Sequence, residues 1–299
     1  MKNNNKVMFI VIILITIWLI FPFVKRVNKK NKIDTIYETF IYNCKNDDNF
    51  EDSIPYGKER CRDAILEGAP KSENSIEFFY STILYEEFRA IYYLFPILIF
   101  FLSSYAIYKE LSNGFYKNML MREGYKEYIK SKICSIYKYS LVIPIVLTIF
   151  FVICICYCNT SLKDQLIFFE GSNNANTVKY GYFFIIGYIF NIFLYGVFLT
   201  NWVMLFIKKG YNYIVTIVGA YLSYYLLLII LENFLSYLLA IITRSGIWFN
   251  CLSFSNYWSY DYGCDVILMS IIMLILNLGS GFFLFKSYCD KEKVIISNE

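Results

Sequence analysis

The chain has 299 residues, of which 58% are hydrophobic and 17% charged, against about 45–50% apolar and about 25% charged in soluble domains, so the apolar surplus calls for lipid as solvent. A net charge of +4 with basic residues scattered through loops excludes a nucleic-acid groove. There is no histidine, which removes the usual general base and zinc ligand, and no G-x-x-x-x-G-K-[ST] loop to signal nucleotide binding by this chain, so if ATP energises it, another chain is expected to bind the ATP.

Six stretches reach the roughly 20 apolar residues that a spanning helix needs: about 7–24, 90–108, 140–158, 182–207, 212–231 and 266–285. The predicted fold is therefore an all-α polytopic membrane protein, a single transmembrane domain over 1–299. The first stretch begins after "MKNNNK" and ends "LIFPFVKRVNKK" without a small-x-small cleavage site, so it reads as an uncleaved helix rather than a signal peptide. Lysine and arginine counts set the orientation. With both termini cytoplasmic, the inner segments hold Lys2, Lys6, the seven cations from Lys109 to Lys138, Lys208, Lys209, Lys286, Lys291 and Lys293. The short outer loops then hold only Lys163, Lys179 and Arg244. Against this, Lys25, Arg26, Lys29, Lys30 and Lys32 follow the first span directly and would face outward; they open a long segment, which obeys the rule poorly.

That outer segment, 25–89, becomes acidic after its basic start and has too few large apolar residues for a core of its own, so it is expected to pack on the helix ends. Cys44 and Cys61 flank its acidic part, and Cys251 and Cys264 flank "LSFSNYWSYDYG" in the last outer loop. Either pair could close a disulfide on an oxidising side, and free thiols fit the spacing equally well. Further along, "YEEFR" at Glu86, Glu87 and Arg89 resembles the Glu-Glu-x-x-x-Arg of intramembrane glutamic proteases, but the spacing is short and the histidines are missing. A salt-bridged helix turn explains it better.

Between the second and third spans lies the cytoplasmic segment 109–138, where "ELSNGFYKNMLMREGYKEYIKSK" packs eight charges into residues 110–132. Tyr125, Ile129 and Ile133 repeat every four residues, with Lys126 and Lys130 opposite, which predicts an amphipathic helix leading into the third span. Before it, Met119, Leu120 and Met121 form an apolar knob suited to filling a partner's groove. In the third span, "CICYC" sets Cys154, Cys156 and Cys158 two apart, a spacing that puts successive residues on different helix faces and so opposes a shared metal ion.

The predicted spans carry no Asp, Glu or Arg in their interiors, unlike ion-coupled transporters. Asn191, Asn201 and Asn277 are read first as hydrogen-bonding helix to helix and second as substrate contacts. The 29 Tyr and 28 Phe fill a bundle or line an apolar surface. Between Glu232 and the last span, 232–264 is too long and apolar for a plain loop and too interrupted to cross and return, so a re-entrant outer hairpin is expected there, with irregular backbone near Ser245 and Gly246.

Glu110 at the end of the second span, then Gly114, a "KN-L" step at Lys117, Asn118 and Leu120, a turn, a basic helix and a closing Lys132 is similar to the cytoplasmic segment of type-2 ABC exporter permeases. The resemblance extends to six spans, inner termini and an outer hairpin before the last helix. It implies that the segment is a coupling helix on which Glu110, Gly114, Phe115, Met119, Leu120, Met121 and Arg122 contact a separate ABC ATPase subunit. It also implies a second permease subunit, identical or related, and an amphipathic or apolar substrate such as a peptide, lipid or drug. The usual Ser-Arg after the turn is "GYKEY" here, and the first outer segment is longer than in the smallest members. The chain itself is expected to carry no catalytic residue, cofactor or metal, and its Lys-, Ile-, Asn- and Tyr-heavy usage suggests the plasma membrane of an AT-rich bacterium. A membrane-embedded enzyme or a non-transporting immunity or sensor protein is the alternative.

Overall fold

The computed structural model describes residues 2–47, 50, 56–67, 75–83, 86–112, 125–158, 182–207, 212–254 and 265–289, and every regular element among them is helical. Helix α1 (Lys2–Asn46) has 45 residues, about 67 Å at 1.5 Å per residue and so about twice the hydrocarbon thickness. The expected first span is only its first half. The helix runs on because residues 25–46 contain no Gly or Pro to stop it. Beyond it, α2 (Gly57–Glu67) is tied to α1 by a disulfide between Cys44 and Cys61, with Cα atoms 5.4 Å apart. Next, α3 (Ser75–Ile83) buries Ile76, Phe78, Phe79 and Ile83. That apolar row makes α3 the part of 25–89 that joins the main core.

Helix α4 (Glu86–Ser112) carries the expected second span. After it come α5 (Tyr125–Ile136), a 3₁₀ turn (Tyr137–Leu141) and α6 (Val142–Cys158), one after another without a break. Helix α7 (Tyr182–Phe206) is followed by α8 (Tyr213–Ile229), which opens on Asn212, whose side chain accepts the Ile214 N–H at 2.9 Å. Then a π-helical segment (Ile230–Leu235) leads into α9 (Ser236–Thr243). Short α10 (Ile247–Cys251) and α11 (Val266–Cys289) complete the described chain.

Among the described residues five helical runs are long and apolar enough to cross a membrane: Met8–Asn46, Lys126–Cys158, Phe183–Phe206, Tyr213–Thr243 and Val266–Tyr288. They make the chain a multi-pass membrane protein. The remaining expected span, the second at about 90–108, lies on α4, whose run from Ala90 to Tyr108 carries no charged residue. In the packing, α7 is the hub, touching α11, α4, the 3₁₀ turn, α8 and α6. Of its apolar stretch 61% is buried inside the molecule, against 11% for α1. Hence α7 is the core post, and α1 lies at the periphery against α6, α2, α4 and α3.

From Glu232 onward the chain reverses within the region of the expected hairpin, with non-helical backbone beside the expected Ser245 and Gly246. The helix passes through Glu232 and ends only at Thr243, after which Arg244 adopts a left-handed conformation (φ 53°). The chain then folds back, so that Ser253 and Phe254 return to the level of Glu232. Phe254 is fully buried there, edge-on to Tyr195 and Phe198 of α7.

Candidate functional site

The end of α4 and the body of α5 meet at one carboxylate. Tyr128 and Lys132 are four apart and so share a face of α5; the Tyr128 hydroxyl donates to Glu110 Oε2 at 3.0 Å, and the Lys132 ammonium pairs with Glu110 Oε1. These are charge-assisted bonds in a partly dry setting, for the Lys132 and Glu110 side chains are 15% and 30% exposed. On the same helix Ile133 and Ile136 are buried, while Lys126 and Lys130 face outward, the division expected of an amphipathic helix. The junction therefore closes the base of segment 113–124. That segment, with Gly114, Phe115, Lys117, Asn118, Met119, Leu120, Met121 and Arg122, lies outside the described residues.

From this junction a polar seam runs into the hub. The 3₁₀ turn that continues α5 places the Tyr137 hydroxyl 2.6 Å from Asn201 Oδ1, to which it donates. Asn201 Nδ2 donates to Ser280 Oγ at 3.0 Å, which links α7 to α11. One turn away, Asn277 Nδ2 donates to the Leu194 carbonyl at 2.9 Å and to that of Met273 at 2.8 Å. Ser140 and Thr200 hydroxyls lie 3.2 Å apart, and Gly196 permits this approach, since a Cβ there would sit 3.1–3.2 Å from Ser140. Farther along, Asn191 Nδ2 donates to the Val266 carbonyl at 3.1 Å. All three asparagines thus bond helix to helix. Tyr213 fixes α8 to α4 in a similar way: its hydroxyl donates to the Phe101 carbonyl at 3.0 Å and lies 3.1 Å from Ser104 Oγ.

A second polar knot sits where the chain folds back. Glu232 lies in the π segment, about 29 Å along the helix from Tyr213 at 1.5 Å per residue. Its Oε1 accepts from Ser253 Oγ at 3.1 Å and from the Phe254 N–H at 3.2 Å. The buried Ser236 hydroxyl lies within donating distance of the Leu231 carbonyl at 2.9 Å and of the Trp248 carbonyl at 3.2 Å, which ties the end of the π segment to α10. Mid-span tyrosines are packing groups here: Tyr195 and Tyr224 join their hydroxyls in the core, and Tyr221 bonds to Tyr225 at 3.2 Å.

Among the cysteines, Cys251 is disulfide-bonded, and Cys264 lies outside the described residues. Cys154 and Cys158 are buried on one face of α6 with Cys156 exposed on another, so the three do not converge. The side chains of Glu86, Glu87 and Arg89 also lie outside the described residues. The sequence pointed to Glu110, Lys132 and the α5 stripe but missed Tyr128 as a partner of Glu110 and missed the return of Phe254 to Glu232. The only signal for the first was the spacing of four between Tyr128 and Lys132. No family model, curated protein or solved structure matches this chain.

Proposed function

We propose that the chain is the membrane subunit of an ATP-driven exporter of the type-2 ABC class, moving an amphipathic or apolar substrate across a bacterial plasma membrane with energy from a separate ATPase subunit. The observation that carries this reading is the Glu110–Lys132–Tyr128 junction. It ties α4 to α5 at the base of segment 113–124, whose apolar knob at Met119, Leu120 and Met121 offers an ATPase a groove-filling contact. A push delivered there would reach α4 and, through α5 and the 3₁₀ turn, α6; both α4 and the turn pack on the hub helix α7. That is the linkage alternating access requires, in which ATP-driven closure shifts the balance between two bundle arrangements. Six spans, cytoplasmic termini and a re-entrant element at 232–264 belong to the same proposal, as does a second permease subunit beside this one. The apolar and aromatic helices suit an apolar or amphipathic cargo.

The test is co-purification. The native chain is expected to retain the ATPase, and Met119→Asp or Leu120→Asp to lose it while still inserting in the membrane; undiminished retention would sink the coupling assignment.

A further inference from the structure

Helix α1 has two unlike faces. Met8, Val11, Ile12, Ile15, Leu19 and Phe23 pack inward, and the same row continues at helical spacing to Arg26 and Lys30. The Arg26 guanidinium lies 5.9 Å from the Phe78 ring centre and the Lys30 ammonium 5.6 Å from that of Tyr157, cation–π contacts that fix both charges in place. The opposite row, Ile10, Leu14, Ile17 and Phe21, is exposed. At spacings of four and seven it runs on into Lys25 and Lys32, also exposed, with exposed Lys29 beside them.

Length decides what covers this outer row. Phe9–Val24 spans about 24 Å of helix, close to the roughly 30 Å of a hydrocarbon core, so the cations from Lys25 to Lys32 begin where headgroups begin. The first acidic residue of the chain is Asp34, beyond them. A row of acyl-chain contacts that ends in cations ahead of any carboxylate complements a lipid with a net negative headgroup. A zwitterionic lipid would bring its own ammonium into the same field.

We propose that residues 25–32 of α1 bind the phosphate headgroup of an anionic phospholipid whose acyl chains lie along Ile10, Leu14, Ile17 and Phe21. Lys29 and Lys32 reach the phosphate oxygens, while Arg26 and Lys30, held over aromatic rings, fix the field behind them. The site is independent of the transport reading and holds for whichever leaflet α1 leaves. It also gives the basic run after the first span a role other than topology.

The test uses the full chain in bilayers of equimolar phosphatidylglycerol and phosphatidylcholine, extracted in mild detergent, with the retained lipids identified by mass spectrometry. Each surface lysine contributes about fivefold. The native chain is expected to retain phosphatidylglycerol preferentially, with the preference falling as salt shortens the screening length. Lys29→Gln with Lys32→Gln is expected to cut the preference about tenfold or more. Lys45→Gln with Arg60→Gln, also exposed but farther from the apolar row, is expected to leave it unchanged. Equal retention of the two lipids by the native chain, an unchanged preference in the Lys29 and Lys32 variant, or an equal loss in the control would each overturn the proposal.

Discussion

Glu110→Gln is expected to destabilise the chain more than the removal of Glu110 and Lys132 together. With the Lys132 side chain 15% exposed and that of Glu110 30% exposed, the pair falls between a surface ion pair, about 0–1 kcal/mol, and a buried one, where losing one partner costs about 3–5 kcal/mol. Glu110→Gln should therefore cost about 1.5–3 kcal/mol, because it leaves the Lys132 ammonium half-desolvated without its counter-charge. Tyr128→Phe removes one bond to the same carboxylate and should cost about 0.5–1.5 kcal/mol. In Glu110→Gln with Lys132→Met no charge is stranded, and the loss should fall to about 1 kcal/mol. The assay is reversible unfolding of the purified full chain in mixed micelles, run as a double-mutant cycle, with hydrogen exchange over residues 125–136 as a local readout. Costs that add to within about 0.5 kcal/mol, or exchange in α5 that the variants leave unchanged, would refute the junction as a mechanical tie.

Two further substitutions probe the hub and the fold-back. A Cβ at Gly187 would sit 2.9 Å from Val266 Cγ2, so Gly187→Ala should cost about 1–3 kcal/mol by overpacking and be largely rescued by Val266→Ala in the same unfolding assay; an unrelieved cost would show that this α7–α11 contact is misjudged. Glu232→Leu leaves the Phe254 N–H and Ser253 hydroxyl without their acceptor, so exchange at residues 252–254 should rise, with a cost of about 1–3 kcal/mol. Glu232→Gln keeps an acceptor oxygen and should change little, and equal behaviour of the two variants would remove the knot's role.

The sequence locates apolar runs well and helix ends poorly, and α1 shows why. Its hydropathy falls at Lys25, which marks where lipid ends, but nothing between Lys25 and Asn46 breaks a helix. The same mismatch appears at Glu232: a carboxylate reads as the edge of a span, yet its partners are the Ser253 hydroxyl and the Phe254 N–H. A backbone donor some 20 residues away leaves no trace in composition or periodicity. The α5 stripe was legible because Tyr125, Ile129 and Ile133 repeat at helical spacing, and that spacing carries Lys132 to the face where Glu110 waits. The pairing itself depends on how α4 and α5 approach each other, which no local pattern encodes. Asn201 and Asn277 were visible as polar residues in apolar runs, and only the packing of α7 on α11 assigns their partners.

The most direct test of the exporter reading is affinity purification of the full chain from the membranes of its own host, with every co-purifying chain identified. An ATPase carrying a G-x-x-x-x-G-K-[ST] loop is expected with the native chain and is expected to be missing from Met119→Asp. Purification of the native chain without any such ATPase, or its full retention by Met119→Asp, would contradict the reading.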